Sequence, residues 1–246
     1  MLESILLDYE YTIVNLVTNE RLLLAVYRSA IASLAEYGTA AGFADAAMVI
    51  ARLETQIDAA FEANALGELD LIAQVPAYWL TAGTPFLDQL LQGISGQVHR
   101  AIVDETYLPP EHAQILQRLQ AEGFRLGLLS QTCLPRDVFL SDLDNLALLE
   151  YFEVVTITSG IGVQKPAPAV FLTAARMLAC APGATLFVGD DLHLDIAGAS
   201  AAGMPTVLTQ QYRRATPVTG TVAPTAIIQR LSELPAVAHR LSEGYQ

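Results

Sequence analysis

Short apolar runs alternate with longer amphipathic segments along most of this chain. The apolar runs predict strands at residues 5–7, 125–129, 154–158, 184–188 and 206–208. The amphipathic segments predict helices at residues 111–122, 168–178 and 194–202, with one more ending near residue 150. Residues 225–241 predict one or two further helices, interrupted at Pro235. Because strands that alternate with helices form right-handed crossovers, this pattern predicts an α/β fold with a parallel, Rossmann-like sheet.

The segment between the first two predicted strands has a different pattern. Leu23, Ala30 and Leu34 recur at helical spacing, and prolines break the later helical segments. No run in this segment predicts a strand. We therefore expect an α/β core at residues 1–14 and 106–246, interrupted after its first strand by an all-helical domain at residues 15–105.

Polar residues follow four of the predicted strands. Asp8, Ser130 and Asp190 each come at the end of a strand, and Lys165 lies in the loop after another. In an open parallel sheet, ligands bind beyond the carboxyl ends of the strands. We therefore expect these four places to form one site.

Acidic residues at two of these places predict a metal site. Asp8 and Glu10 suit divided roles, one as an ionised nucleophile or metal ligand and the other as a proton carrier. Asp190, Asp191 and Asp195 would repel one another unless a hard divalent cation lay among them, and oxygen ligands favour Mg²⁺. A plainer interpretation stays open, in which one of these aspartates caps a helix.

Lys165 is the only lysine in a chain that also contains twelve arginines. An ammonium on a loop after a strand suits a phosphate or carboxylate partner, and a chance surface lysine is the alternative. The Ser130 hydroxyl and nearby backbone N–H groups are donors of the kind that hold phosphoryl oxygens.

The composition disfavours several functional classes. A net charge of −13 opposes binding to nucleic acid or to anionic membranes. The first residues lack the basic region of a signal peptide, and no apolar run reaches the length of a membrane span. Two cysteines are too few for a disulfide framework, so we expect buried free thiols and a cytoplasmic protein.

The four motifs together resemble those of the haloacid dehalogenase superfamily, in the branch with a helical cap inserted after the first motif. Asp8-Tyr9-Glu10-Tyr11-Thr12 is similar to the family's Asp-x-Asp-x-Thr except at the third position, and Ser130 matches the second motif. Gly162-Val163-Gln164-Lys165-Pro166 matches the third motif. Gly189-Asp190-Asp191 followed by Asp195 matches the fourth, which is the most specific.

This resemblance implies a phosphatase that hydrolyses a small phosphomonoester through an aspartyl-phosphate. Asp8 would be the nucleophile, and Glu10 would protonate the leaving oxygen and then take a proton from water. Mg²⁺ would be held by Asp8, the backbone carbonyl of Glu10 and Asp190, with Asp191 and Asp195 assisting directly or through water. The residues assigned to phosphate binding are Thr12, Ser130, Gln131 and Lys165, and Lys165 would also hold Asp8 ionised.

Glu10 departs from the family's usual Asp, and its longer side chain leaves catalytic efficiency open. A non-catalytic or weakly active phosphate-binding module is therefore one alternative. Haloacid dehalogenation or phosphonate cleavage on the same fold is another. Dehalogenation needs no metal, so it leaves the acidic residues unexplained. Phosphonate cleavage would require a lysine in the cap, and the sequence has none there. The expected partner is a small phosphorylated metabolite, with no nucleic acid or membrane, and the expected assembly is a monomer or a homodimer.

Overall fold

A computed structural model describes residues 1–16, 20–63, 74–81, 106–132, 136–158, 163–214 and 222–244. The chain divides into two compact units. The first unit comprises Met1–Asn15 and Tyr107–Gln246, and the second comprises Leu16–Thr106.

A six-stranded parallel sheet forms the centre of the first unit. The described part of the chain has eight strands, six of which form this sheet. In chain order they are β1 Ser4–Leu7, β2 Asn15–Leu16, β3 Thr106–Tyr107, β4 Arg125–Ser130, β5 Val154–Ile157, β6 Thr185–Gly189, β7 Thr206–Thr209 and β8 Ala226–Ile228. The large sheet has the order β5-β4-β1-β6-β7-β8. β1 is therefore a central strand, in which Leu7 pairs with Leu128 on one side and with Val188 on the other.

Helices cover both faces of this sheet. Those of the first unit are α4 Pro110–Ala121, α5 Arg136–Asn145, α6 Pro168–Met177, α7 Gly198–Ala201 and α8 Leu234–Glu243. Ile5 and Leu7 of β1 belong to a core cluster with α4, α5 and α8, whereas Leu6 belongs to a cluster with α6. Burial on both faces explains why β1 is an unbroken apolar run in the sequence.

The second unit has its own apolar core. Its described helices are α1 Glu20–Ala40, α2 Ala46–Glu62 and α3 Ala77–Thr81. Leu23 and Leu34 of α1 cluster with Leu53 and Ile57 of α2, and the fully buried Trp79 of α3 joins them. Apolar residues at helical spacing therefore form a core here, as the sequence pattern indicates.

Three predictions of secondary structure in these segments were wrong. Residues 225–241 are not helical throughout, because Ala226–Ile228 form β8, which pairs in parallel with β7 at the sheet edge. Pro235 does not interrupt a helix, since it lies in the first turn of α8, where proline removes no intrahelical hydrogen bond.

The segment predicted as all-helical also begins with β2, which pairs with β3 in a separate two-stranded sheet. Strands of two or three residues are too short to show a period in the sequence.

The helix predicted at residues 194–202 begins earlier than expected and is not a single α-helix. A π-helical segment covers Leu192–Ala197, and α7 continues from it.

Cys180 is a buried free thiol, as expected, while Cys133 and Gly162 lie outside the described residues. Among the described helices, none combines the length and apolar character that crossing a bilayer requires.

Candidate active site

The carboxyl edge of the large sheet brings the predicted site residues together. Asp8 follows β1 directly, Ser130 ends β4, and Asp190 follows β6. Because β1 lies between β4 and β6, the ends of these three strands are adjacent. The backbone N–H of Asp8 still donates to the Val188 carbonyl at 2.9 Å, so the sheet fixes the position of Asp8.

Three buried carboxylates form a cluster at this edge. Asp8, Asp190 and Asp195 each place an oxygen within 4.8 Å of the other two. Burial raises the pKa of Asp8 to about 6, although the Lys165 ammonium opposes the rise. Burial, followed by the charges of Asp8 and Asp195, raises the pKa of Asp190 to about 8. Since a divalent cation would offset this repulsion and prefers oxygen ligands, the three residues fit such an ion.

Lys165 lies inside the cluster rather than on the surface. Its Nζ donates to Asp8 Oδ1 at 2.6 Å and to Asp195 Oδ1 at 2.8 Å, and its side chain is only 2% exposed. Burial alone would lower the pKa of Lys165, but the Asp195 and Asp8 carboxylates raise it above its ordinary value. The ammonium is therefore charged, and the interpretation of a chance surface lysine is excluded.

Asp195 holds the cluster to the backbone. Its Oδ2 accepts the N–H groups of Asp190 and Asp191, both at 3.1 Å. This contact requires the chain to pass very close to Asp195 at Gly189, where a Cβ would lie 2.6 Å from the Asp195 Cβ. Gly189 is therefore a spatial requirement of the site, since any larger residue would push Asp195 away.

Asp191 differs from the other predicted metal ligands. Its Oδ1 accepts the backbone N–H groups of His193 and Leu194, both at 2.7 Å, and so caps the π-helical segment. It is not a member of the three-carboxylate cluster. The structure thus gives Asp191 the capping position that the sequence left open, and a contribution to metal binding stays a prediction.

The residues predicted to bind phosphate lie around Asp8 and Lys165. Thr12 Oγ1 donates to Asp8 Oδ2 at 3.3 Å. Gln131 Oε1 accepts the backbone N–H of Lys165 at 2.9 Å, so this side chain supports the lysine loop. The Ser130 hydroxyl is buried and has no hydrogen-bond partner among the described residues. Because buried polar groups are normally hydrogen-bonded, a buried hydroxyl that lacks a partner in the described part of the chain favours binding of a polar ligand.

Glu10 lies in a turn that ends β1. Tyr11 adopts a left-handed φ of 55°, and Glu10 forms an isolated backbone bridge with Val14. The Glu10 side chain is half-buried, two residues after Asp8. Because the strand ends before Glu10, the turn rather than the alternation of a strand sets its direction relative to Asp8.

Arg213 was missed by the sequence analysis. Its guanidinium carbon lies 3.3 Å from the centre of the Tyr11 ring, and Nη1 is 4.0 Å from Asp190 Oδ2. Arg213 follows β7, a further strand whose carboxyl end reaches the same edge of the sheet. That position was the available signal, because every strand end in a parallel sheet is a candidate for the site.

Curated relatives share sequence with part of the chain. A glyceraldehyde 3-phosphate phosphatase from Methanopyrus kandleri is 34% identical over 136 residues, which cover 54% of this chain and 58% of the relative. A ribulose-1,5-bisphosphate 5-phosphatase from Halopiger xanaduensis is 34% identical over 108 residues, 44% of each protein. A phosphoglycolate phosphatase from Escherichia coli K12 is 33% identical over 161 residues, 64% of this chain and 62% of the relative. The chain therefore spans less than two thirds of these relatives' length.

Solved structures share the fold over nearly the whole chain. A 2-haloacid dehalogenase from Pseudomonas syringae pv. Tomato DC3000 has a TM-score of 0.60 with 23% identity, covering 98% of this chain and 100% of that one. A phosphatase from Thermococcus onnurineus has a TM-score of 0.57 with 21% identity, covering 96% and 98%. One architecture thus carries two chemistries, and the fold alone does not choose between them.

The haloacid dehalogenase-like hydrolase family matches residues 6–203. That span contains the Asp8, Ser130, Lys165 and Asp190 positions, in the order that the motifs require. The chain therefore belongs to the haloacid dehalogenase-like hydrolases.

Proposed function

We propose that this chain is a Mg²⁺-dependent phosphatase that hydrolyses a small phosphomonoester through an aspartyl-phosphate. One observation carries the proposal: the Asp8 carboxylate lies against the Lys165 ammonium and beside the Asp190 and Asp195 carboxylates. An ionised nucleophile, a fixed cation and a set of oxygen ligands are the parts that phosphoryl transfer needs. Haloacid dehalogenation needs the nucleophile but gives no reason for the further carboxylates.

The metal would be held by Asp8, the Glu10 backbone carbonyl and Asp190, with Asp191 and Asp195 assisting directly or through water. When bound, Mg²⁺ neutralises charge on the phosphoryl oxygens and lets an anionic nucleophile approach an anionic ester. The support for this ligand set is its oxygen chemistry and the raised pKa of both Asp8, at about 6, and Asp190, at about 8.

The reaction would proceed in two steps, with the aspartyl-phosphate as the intermediate. An Asp8 oxygen attacks phosphorus, the phosphorus–ester oxygen bond breaks, and Glu10 gives its proton to the leaving oxygen. Water then attacks the aspartyl-phosphate, Glu10 takes a proton from that water, and the phosphorus–Asp8 oxygen bond breaks. Inorganic phosphate leaves, and Asp8 returns to its carboxylate form.

Lys165 and Ser130 would bind the phosphoryl oxygens during both steps. The support is the charged ammonium beside Asp8 and the buried Ser130 hydroxyl that lacks a partner in the described part of the chain. Gln131 would contribute by holding the Lys165 loop, and Thr12 by orienting Asp8. Donors fixed before the substrate arrives need little reorganisation in the transition state.

The expected substrate is a small phosphorylated metabolite, as in the names of the three phosphatase relatives. We further propose that the helical segment at residues 15–105 is a cap that selects the substrate, and that the protein acts in the cytoplasm as a monomer or a homodimer. Nucleic acid is not expected as a partner, because the net charge is −13.

A second candidate function is a phosphate-binding module with weak or no turnover. Glu10 is the observation that favours it, because a proton carrier displaced by roughly 1 Å can lose about 100-fold in rate. Hydrolysis of p-nitrophenyl phosphate, measured with Mg²⁺, with EDTA and in Asp8→Asn, separates the candidates. Turnover that needs Mg²⁺ and is lost in Asp8→Asn supports the phosphatase. Phosphate binding without turnover supports the module, and halide release without metal supports a dehalogenase.

A further inference from the structure

Arg213 occupies an unusual position at the edge of the carboxylate cluster. Its guanidinium stacks on the Tyr11 ring with 3.3 Å between the guanidinium carbon and the ring centre. Its Nη1 lies 4.0 Å from Asp190 Oδ2, a distance too long for a hydrogen bond. Arginine presents a planar fork of N–H donors that matches the oxygens of a carboxylate or phosphate. The stacking on Tyr11 fixes the plane of that fork beside the site.

Arg213 and Lys165 differ in their access to solvent. The Lys165 side chain is 2% exposed and donates to two carboxylates. The Arg213 side chain is 41% exposed while it lies next to the same cluster. The Arg213 side chain is therefore partly open to solvent beside the cluster, whereas Lys165 is enclosed within it.

The loop that carries Arg213 is anchored to the core. Gln211, two residues earlier, donates its amide to His112 Nε2 at 3.1 Å and accepts the Leu231 N–H on Oε1 at 2.7 Å. His112 is buried, and its Nδ1 contacts the Ile13 carbonyl at 2.6 Å. This network joins the Arg213 loop to the segment that follows Asp8. Arg213 is thus held by the scaffold, as a binding group requires.

We propose that Arg213 is a specificity residue that binds a second oxyanion, a carboxylate or a second phosphate, carried by the substrate a few atoms from the scissile phosphoryl group. The proposal rests on the phosphatase function above and deepens it. Asp190 lies between the two ends of such a substrate, because it belongs to the cluster with Asp8 and faces Arg213. In a chain with a net charge of −13, a doubly acidic substrate needs a local cation of this kind.

The test compares substrates that differ in one acidic group. The pairs are 2-phosphoglycolate with 2-hydroxyethyl phosphate, and 1,3-propanediol bisphosphate with 3-hydroxypropyl phosphate. The selectivity ratio is kcat/KM for the doubly acidic member divided by kcat/KM for its partner. Any effect of a substitution on the chemistry common to both members, including Mg²⁺ use, cancels in this ratio. A fall in only one pair identifies which oxyanion Arg213 binds.

We expect Arg213→Gln to lower the selectivity ratio about 10- to 100-fold, because a charged hydrogen-bonded contact is lost. Arg213→Lys should give an intermediate ratio, since it keeps the charge without the fork. Arg214→Gln is the matched control, because it removes the same charge from an exposed neighbour in the same loop. Ratios that stay unchanged in Arg213→Gln, or fall equally in Arg214→Gln, would overturn the proposal.

A binding measurement keeps the two proposals separable. Calorimetric titration of Asp8→Asn with the same four compounds, with and without Arg213→Gln, needs no turnover. Preference for the doubly acidic ligands that disappears with Arg213→Gln supports the inference even if wild-type protein hydrolyses none of the compounds. An Arg213→Gln substitution that changes only the Mg²⁺ concentration for half-maximal rate would instead make Arg213 a partner of the metal site, and the inference would fail.

Discussion

Lys165 Nζ lies 2.6 Å from Asp8 Oδ1, although 157 residues separate the two in the sequence. The same nitrogen lies 2.8 Å from Asp195 Oδ1. One buried ammonium therefore balances two carboxylates, one directly after β1 and the other in the π-helical segment Leu192–Ala197. This arrangement links stability to the proposed chemistry, because the charges that would perform the reaction are also the charges that burial penalises.

Replacing Lys165 with Met should remove hydrolytic activity and destabilise the metal-free protein by about 3–5 kcal/mol, because two buried carboxylates lose their cation. Urea unfolding in EDTA measures the change. The control is Arg125→Met, which breaks an ion pair of 2.7 Å between side chains that are 40% and 46% exposed. Solvent screens that pair, so its loss should be far smaller. Equal losses in the two variants would contradict the assignment of Lys165 to the buried cluster.

The metal-free protein should become less stable as pH rises from about 4, through the folded pKa values of Asp8 and Asp190, to above pH 8. The folded pKa values of Asp8 and Asp190 are about 6 and about 8, above the ordinary value of 3.8. The folded state therefore binds these protons more tightly than the unfolded state does, and their release on raising the pH disfavours folding. The loss should continue through the folded pKa of Asp190, at about 8, and level off only above it. Urea unfolding in EDTA at a series of pH values gives the profile.

Asp190→Asn isolates this effect from other titrating groups. Its stability relative to wild type should increase between pH 5 and pH 8 in EDTA, because one repelling charge is absent. With saturating Mg²⁺, wild type should gain stability and Asp190→Asn should gain much less, since it lacks one of the proposed ligands. A difference between the two proteins that does not depend on pH would argue against repulsion within the cluster.

Glu10→Gln should slow hydrolysis most for substrates with a poor leaving group. A positioned acid contributes about 10²- to 10⁴-fold when the leaving oxygen needs a proton. We therefore expect a loss in that range for an alkyl phosphate and a smaller loss for p-nitrophenyl phosphate, whose leaving anion is stable. Glu10→Asp keeps a carboxyl group and should retain the leaving-group dependence of wild type. The comparison uses kcat/KM, which covers only the first step, because the second step is the same for both substrates. Equal losses of kcat/KM on both substrates in Glu10→Gln would point to a metal-site defect instead of lost proton transfer to the leaving group.

Gly189→Ala should disrupt the site through a steric clash. The added Cβ would lie 2.6 Å from the Asp195 Cβ, so Asp195 would have to move away from Lys165 and from the backbone N–H groups that it accepts. We expect a loss of about 1–3 kcal/mol in stability and weaker stabilisation by Mg²⁺. Gly183→Ala is the control, because the nearest atom to its added Cβ would be 4.0 Å away. Thermal unfolding with and without Mg²⁺ measures both effects.

The sequence predicted the large-scale fold and the four strand ends because each leaves a local signal. An apolar run that stops at a polar residue marks Asp8, Ser130 and Asp190 without knowledge of distant contacts. Lys165 was singled out because no other lysine exists in the chain.

Features that depend on distant partners were not predictable in the same way. Arg213 is placed by the Tyr11 ring, about 200 residues earlier in the chain, and nothing near Arg213 in the sequence indicates that contact. The assignment of Asp191 as a cap required the backbone geometry of the π-helical segment. β8 was mistaken for a helix because three residues show no period, and only its pairing with β7 makes it a strand.

The central place of β1 in the sheet has a consequence for synthesis of the protein. The neighbours of β1 are β4 and β6, which the ribosome makes more than a hundred residues later. β1 can pair with β4 first, but its other edge waits unpaired until β6, which ends at Gly189, has left the exit tunnel. A nascent chain that stalls before Gly189 would carry Asp8 without Asp190 and Asp195, so the proposed metal site could not form and such partial products should be inert.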